Sequence, residues 1–111
     1  MAADETLAIL DRYLRKLLDA KLPVRGLVLY GSHARGDARP TSDIDVLVLL
    51  DDSVSDEDVF RLWPELDFLT HCIDSRIETW PVTTSRFQTD EVSPLVLTAR
   101  REGVSIEPST K

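Results

Sequence analysis

Cysteine is almost missing from this 111-residue sequence: Cys72 stands alone, so no internal disulfide can staple the chain, and it reads as cytoplasmic. Long apolar runs are missing too. The strongest, Val46 to Leu50, is far short of the ~20 residues a membrane helix needs. Met1 is followed by Ala-Ala-Asp-Glu rather than by a basic and then an apolar stretch, so no leader or membrane association is expected. Basic charge is scarce. Against 20 Asp and Glu there are 13 Lys and Arg, a net charge of -7 with no basic run. That excludes a general nucleic-acid binder, because neutralising phosphates takes clustered Lys and Arg. A lone nucleotide is still an admissible ligand. Repeats, low-complexity tracts and linkers are absent. With 42% hydrophobic residues the chain can bury one core, so it is expected to form one domain over residues 1–111. At this length a separate substrate-binding domain does not fit, and anything bulky is expected from a partner chain.

What is there alternates between helix and strand patterns. Leucines at 7, 10, 14, 17 and 18 recur at three- and four-residue spacing, with charges on the other face, predicting an amphipathic helix from Asp4 to Lys21. Pro23 and Gly26 are read as its end, and Leu27 to Tyr30 as a short buried strand. Ser32 to Thr41 allows one short helical turn. Asp43 to Leu50, β-branched and Leu-rich after an acidic start, predicts a central strand covered on both sides. Ser55 with Asp56, Glu57 and Asp58 opens a helix running to about Cys72, and Pro64 predicts a kink or break near Trp63. Arg76 to Thr83 reads as a strand that Pro81 pushes toward a sheet edge. Ser93-Pro94 starts a last helix to about Glu102, with Gly103 as its stop. The fold class is α/β (α+β), a single small domain.

The chemistry concentrates between Gly31 and Val46. Asp43 and Asp45 are two apart at a strand mouth, so their side chains share one face, roughly 6.5 to 7 Å apart along the chain. In a strand otherwise built of Ile, Val and Leu, two such carboxylates repel and lose hydration unless a cation sits between them. Hard oxygen ligands select Mg²⁺ or Mn²⁺, whose shell water and phosphate oxygens complete. The plainer alternative is a solvated strand end with two incidental acids. Gly31 and Ser32 follow a buried strand and precede a helical turn, where amides and a hydroxyl can hold a phosphate. Gly31 and Gly36 have Walker A spacing, but Asp37-Ala38 follows rather than Lys-Ser or Lys-Thr, so the P-loop reading fails. Without that lysine, phosphate charge must be met by metal ions and by Arg35 or Arg39.

Gly31-Ser32, ten residues, then Asp43-Ile44-Asp45, with Ala34-Arg35-Gly36 after the first pair and Ser42 before the second, resembles the signature of the minimal nucleotidyltransferases of the DNA polymerase β superfamily. The order of elements around it agrees with that family's mixed-sheet core, and Glu102-Gly103-Val104 resembles its ending. His33 stands where relatives carry Arg. The resemblance implies a nucleoside triphosphate, ATP favoured, with its phosphates on Gly31 and Ser32 and with Arg35 and Ser42 nearby. It implies metal ions on Asp43 and Asp45, and a third carboxylate from the neighbouring strand that holds metal or takes the acceptor's proton. Glu78 is the candidate, with Asp74 as runner-up. The catalytic set implied is therefore Asp43, Asp45 and Glu78.

The resemblance implies transfer of a nucleotide, AMP from ATP, to a hydroxyl with release of pyrophosphate. Chains of this size resemble the minimal nucleotidyltransferase antitoxins, whose partner is a small helical HEPN protein that they can adenylylate. A homodimer building a small-molecule site, as in aminoglycoside-modifying relatives, is one alternative. A binding subunit that neutralises its partner by contact, with weak chemistry, is another. Elsewhere, His33 and His71 lack a second ligand at zinc spacing. Cys72 reads as a buried small apolar residue, Trp63 and Trp80 as core or interface, and Arg100-Arg101 as a match to a helix dipole.

Overall fold

The computed structural model describes residues 3–108. Helix α1 spans Asp4–Asp19 and buries Thr6, Ile9, Leu10, Tyr13, Leu14 and Leu17, the stripe its leucine spacing predicts. Strand β1 (Val24–Tyr30) leads into a single-turn helix α2 (Ser32–Arg35), and β2 is Ile44–Leu50. Then come α3 (Asp56–Thr70), β3 (Ile77–Thr83), α4 (Thr84–Thr89), α5 (Pro94–Glu102) and β4 (Val104–Ile106).

The four strands form one mixed sheet in the order β3-β2-β1-β4. The two hydrogen-bonded neighbours of β1, namely β2 and β4, run antiparallel to it, whereas β3 runs parallel to β2 at the edge. This is the edge position that Pro81 requires, since proline cannot donate to a ladder on its outer side. The sheet separates two cores. On one face Leu27, Leu29, Ile44, Val46, Val48, Leu50 and Ile77 pack with α1 and with Leu66 of α3. On the other, Val28, Leu47 and Val82 meet Ala99 and Leu95 of α5 and Phe87 of α4. Strand β2 is thus buried from both sides, as its unbroken apolar run demands. Tyr13 ties the first layer together: its hydroxyl donates to the carbonyl of Leu66 at 2.7 Å, and burial pushes its pKa up.

Several sequence expectations are corrected. Gly26 does not end anything; it lies inside β1 at an irregularity in the pairing with β2, where a Cβ would come within 3.1 Å of the Ile106 carbonyl oxygen. Pro64 leaves α3 uninterrupted. The amide it lacks would have served the carbonyl of Phe60, a residue on the exposed side of the helix. Cys72 is exposed rather than buried, because it falls in the turn after α3. Helix α4 and strand β4 are additional. Among the described residues no helix is long and apolar enough to cross a membrane.

Candidate functional site

Sheet register brings the predicted residues into one row. Tyr30 pairs with Asp45 across β1 and β2, and Asp45 pairs with Glu78 across β2 and β3. All three therefore project from the sheet face that α4 and α5 cover. The cover is partial. One pleat further along, Val28 and Leu47 are buried, while Asp45 is half-buried and Asp43 and Glu78 are exposed. The row is the open end of an otherwise covered face, so it offers carboxylates to solvent from a rigid strand.

The Gly31 turn closes over this row. Gly31 has φ 79° and ψ -155°, a region essentially restricted to glycine. A Cβ built there would lie 2.6 Å from Asp45 Oδ2, so the carboxylate occupies the space a side chain would need. From Gly31 the chain enters α2, which has no side-chain N-cap and ends on Gly36 in the left-handed region (φ 85°). Gly31 N–H donates to Glu102 Oε1 at 3.3 Å, and Arg35 Nη1 donates to the same oxygen at 3.0 Å. Arg35 Nε also reaches Asp37 Oδ2 at 3.3 Å.

Ser42 and His33 hold the far side of the loop. The Ser42 hydroxyl accepts from the Arg39 amide at 2.9 Å, and its carbonyl lies 3.2 Å from His33 Nε2. His33 Nδ1 is 3.3 Å from Thr6 Oγ1, so the imidazole links α1 to the residue before Asp43. Asp74, the runner-up for the third carboxylate, is committed elsewhere. It makes a two-pronged ion pair with Arg76, 2.8 Å at the shorter contact, and that guanidinium holds its carboxyl below the usual range.

The carboxylates feel one another. Burial, then the charge of Asp43, raises the pKa of Asp45, against the pull of His33 and Arg35. Asp43 is the largest influence raising Glu78, followed by desolvation, Asp45 and Asp67. Burial together with Asp45 and Glu78 pushes the Tyr30 phenol up to about 12. Concentrated negative potential with only oxygen donors is the environment a hard divalent cation relieves. Among the described residues, however, no three His, Cys, Asp or Glu side chains converge as a preformed metal cage. The donor set fits an ion such as Mg²⁺, which takes one or two protein carboxylates and fills its shell with water and phosphate oxygens. A groove of about 1010 Å³, lined by Asp52, Ser85, Arg86 and Asp90 among others, lies at the other end of the strands, away from this row.

Sequence reasoning missed Glu102, His33 and Thr6 as partners of the loop. Only the Glu-Gly-Val ending hinted at the first.

A small mixed sheet carrying paired acids at the mouth of an inner strand, beneath a Gly-Ser turn, is the architecture of a nucleotidyltransferase domain. Residues 11–96 match the family model for that domain, and the chain belongs to the nucleotidyltransferase domain family. Solved structures agree on the fold. A protein from Sulfolobus solfataricus described as a nucleotidyltransferase superposes with a TM-score of 0.61 at 18% identity, covering 91% of this chain and 78% of that one. A toxin–antitoxin structure with AMP-PNP gives 0.56 at 21% identity, covering 90% and 74%. A tri-AMPylated Shewanella oneidensis HEPN toxin in complex with its MNT antitoxin gives 0.51 at 20%, covering 93% and 73%. No curated protein matches in sequence.

Proposed function

We propose that the whole chain is one nucleotidyltransferase domain that transfers AMP from ATP to a hydroxyl on a helical HEPN-type partner protein, as the antitoxin half of a cytoplasmic toxin–antitoxin pair. The observation that carries the nucleotide reading is the closeness of Asp45 to the Gly31 turn, where its Oδ2 fills the space a Cβ would need. A carboxylate lying directly against a Gly-Ser turn makes sense where metal-bound phosphate joins the two. The partner is suggested by one of the solved structures of like fold, a tri-AMPylated HEPN toxin in complex with an MNT antitoxin.

In this reading Asp43 and Asp45 hold Mg²⁺ or Mn²⁺, with Glu78 beside them on the adjoining strand. Bound there, the metal supplies charge neutralisation at the phosphates and helps align the attacking and leaving oxygens. Ser32 and the Gly31 turn receive the outer phosphates. Arg35, at the lip of the turn, faces the same charge. The acceptor oxygen bonds to the α-phosphorus, the bond from that phosphorus to the bridging oxygen breaks, and pyrophosphate leaves with the electron pair. Glu78 takes the acceptor's proton, a role that its raised pKa and exposed position favour.

The test is calorimetric titration of ATP into the isolated chain. Binding is expected with Mg²⁺, at least about tenfold weaker with a chelator present, because the paired acids otherwise repel the triphosphate. Equal binding in both conditions removes the metal from the site.

A second reading, inhibition by contact alone, is favoured by one observation. Phe60 and Phe68 on α3 and Trp80 on β3 are 69%, 67% and 42% exposed, and Trp63 bridges Phe60 and Trp80 at centroid distances of 6.3 and 5.1 Å. Aromatic surface of this kind suits a protein interface. Binding and neutralisation of a partner that survive loss of Asp43 and Asp45 would support this reading.

A further inference from the structure

Glu102 is the last residue of α5, yet its side chain reaches a turn 71 residues earlier in the chain. Its side chain is 24% exposed, and one oxygen, Oε1, accepts from both Gly31 N–H and Arg35 Nη1. The next two residues fix Glu102 from behind. A Cβ on Gly103 would collide with the Ala99 carbonyl and come within 2.5 Å of Val28 Cγ1, so the chain passes there only without a side chain. Immediately afterwards Val104 pairs with Leu29, two residues before Gly31. Glu102 is therefore anchored to the same strand whose end it braces. Asp45 Oδ2 occupies the space that a Cβ on Gly31 would need. Two carboxylates thus border the turn, and Glu102 is the one that bonds its amide.

This grip has an energetic consequence. A glycine free to leave its φ 79° conformation must be ordered when a ligand arrives, at a cost in backbone entropy. A bond that fixes the turn beforehand lowers what binding must overcome. The same carboxylate also orders the Arg35 guanidinium at the lip.

We propose that Glu102 is the positioning residue of the phosphate turn: acting through the Gly31 amide and Arg35, it presets the site without touching the nucleotide. This rests on the reading that the Gly31–Ser32 turn takes the triphosphate.

Three variants separate the possibilities: Glu102→Ala removes the acceptor, Glu102→Gln keeps an acceptor oxygen, and Val96→Ala loosens α5 at a buried position away from the turn. Titration of ATP with Mg²⁺ is run at a temperature where all are folded. Glu102→Ala should weaken the Kd about tenfold, ~1.4 kcal/mol and within the worth of a charge-assisted bond. Glu102→Gln should stay within about threefold of the parent, the scale of a neutral bond replacing a charged one. Val96→Ala should lower the Tm and leave the Kd unchanged. In the absence of nucleotide, hydrogen exchange at the Gly31 amide should be slow in the parent and in Glu102→Gln and faster in Glu102→Ala. Unchanged or tighter ATP binding in Glu102→Ala overturns the proposal, as does equal weakening by Val96→Ala. Failure of the parent to bind ATP instead overturns the triphosphate reading and the inference with it, and is told apart because Gly31 exchange still reports the brace.

Discussion

Replacing Asp43 and Asp45 together by Asn should lower nucleotidyl transfer by at least about 10³-fold, the scale of losing several kcal/mol of metal-centred stabilisation, while raising the Tm of the metal-free protein. The two effects have one cause. Asp45 and Glu78 have folded-state pKa values raised by burial and by neighbouring acids. An acid whose pKa is higher folded than unfolded stabilises the fold while protonated, below its unfolded pKa. That contribution is lost as pH rises through the folded pKa. At neutral pH the ionised cluster is a cost to folding that neutral amides relieve. Under the proposed function, a bound cation would offset that cost. Differential scanning calorimetry with and without Mg²⁺ reads both signs: Mg²⁺ should raise the Tm of the parent and leave that of the double variant unmoved. A double variant less stable than the parent, with transfer intact, would mean that the acids are a solvated strand end.

The second large effect is expected at Gly31→Ala. Its φ of 79° is costly for any residue with a Cβ, and the added carbon would sit 2.6 Å from Asp45 Oδ2. Strain of this kind is worth about 1–3 kcal/mol, which in a domain of this size lowers the Tm by about 10 °C. Relief of the crowding requires the turn or the carboxylate to move, and either movement separates Asp45 from the turn proposed to receive the phosphates. ATP binding should therefore fall at least about tenfold even where the protein is fully folded. A cycle with Asp45→Ala identifies the cause. In the combined variant part of the lost Tm should return, because the crowding atom is gone while the φ strain stays. Strict additivity would show that Gly31 and Asp45 do not press on each other.

Local chemistry made the centre of this site legible. Asp43 to Leu50 reads as an inner strand because its apolar residues occupy both alternating faces, and β2 is buried on both. Gly31 reads as a turn because a breaker follows a buried run, and its positive φ bears that out. Pro81 marks an edge and β3 is one. The misses share a different origin. Strand β4 has three residues and exists because β1 offers it a partner; nothing in Val104–Ile106 announces pairing with Leu27–Leu29. Helix α4 has six residues, and its start depends on Thr83 accepting from the Arg86 amide. Pro64 points to a break that α3 does not show, since a missing amide breaks a helix only where nothing replaces the lost bond. Glu102 is the largest omission. A carboxylate at a helix end has no local signal for a role that depends on Gly31, because the contact is set by packing of α5 and pairing of β4.

In the proposed function, this chain moves a nucleotide onto a protein hydroxyl using the Asp43–Asp45 mouth. The decisive measurement is incubation of the purified chain with a HEPN-type partner protein and ATP labelled at the α-phosphate, in the presence of Mg²⁺. Label should appear on the partner in a denaturing gel, depend on the metal and vanish in the Asp43→Asn, Asp45→Asn variant. A stable complex whose partner stays unlabelled would contradict it.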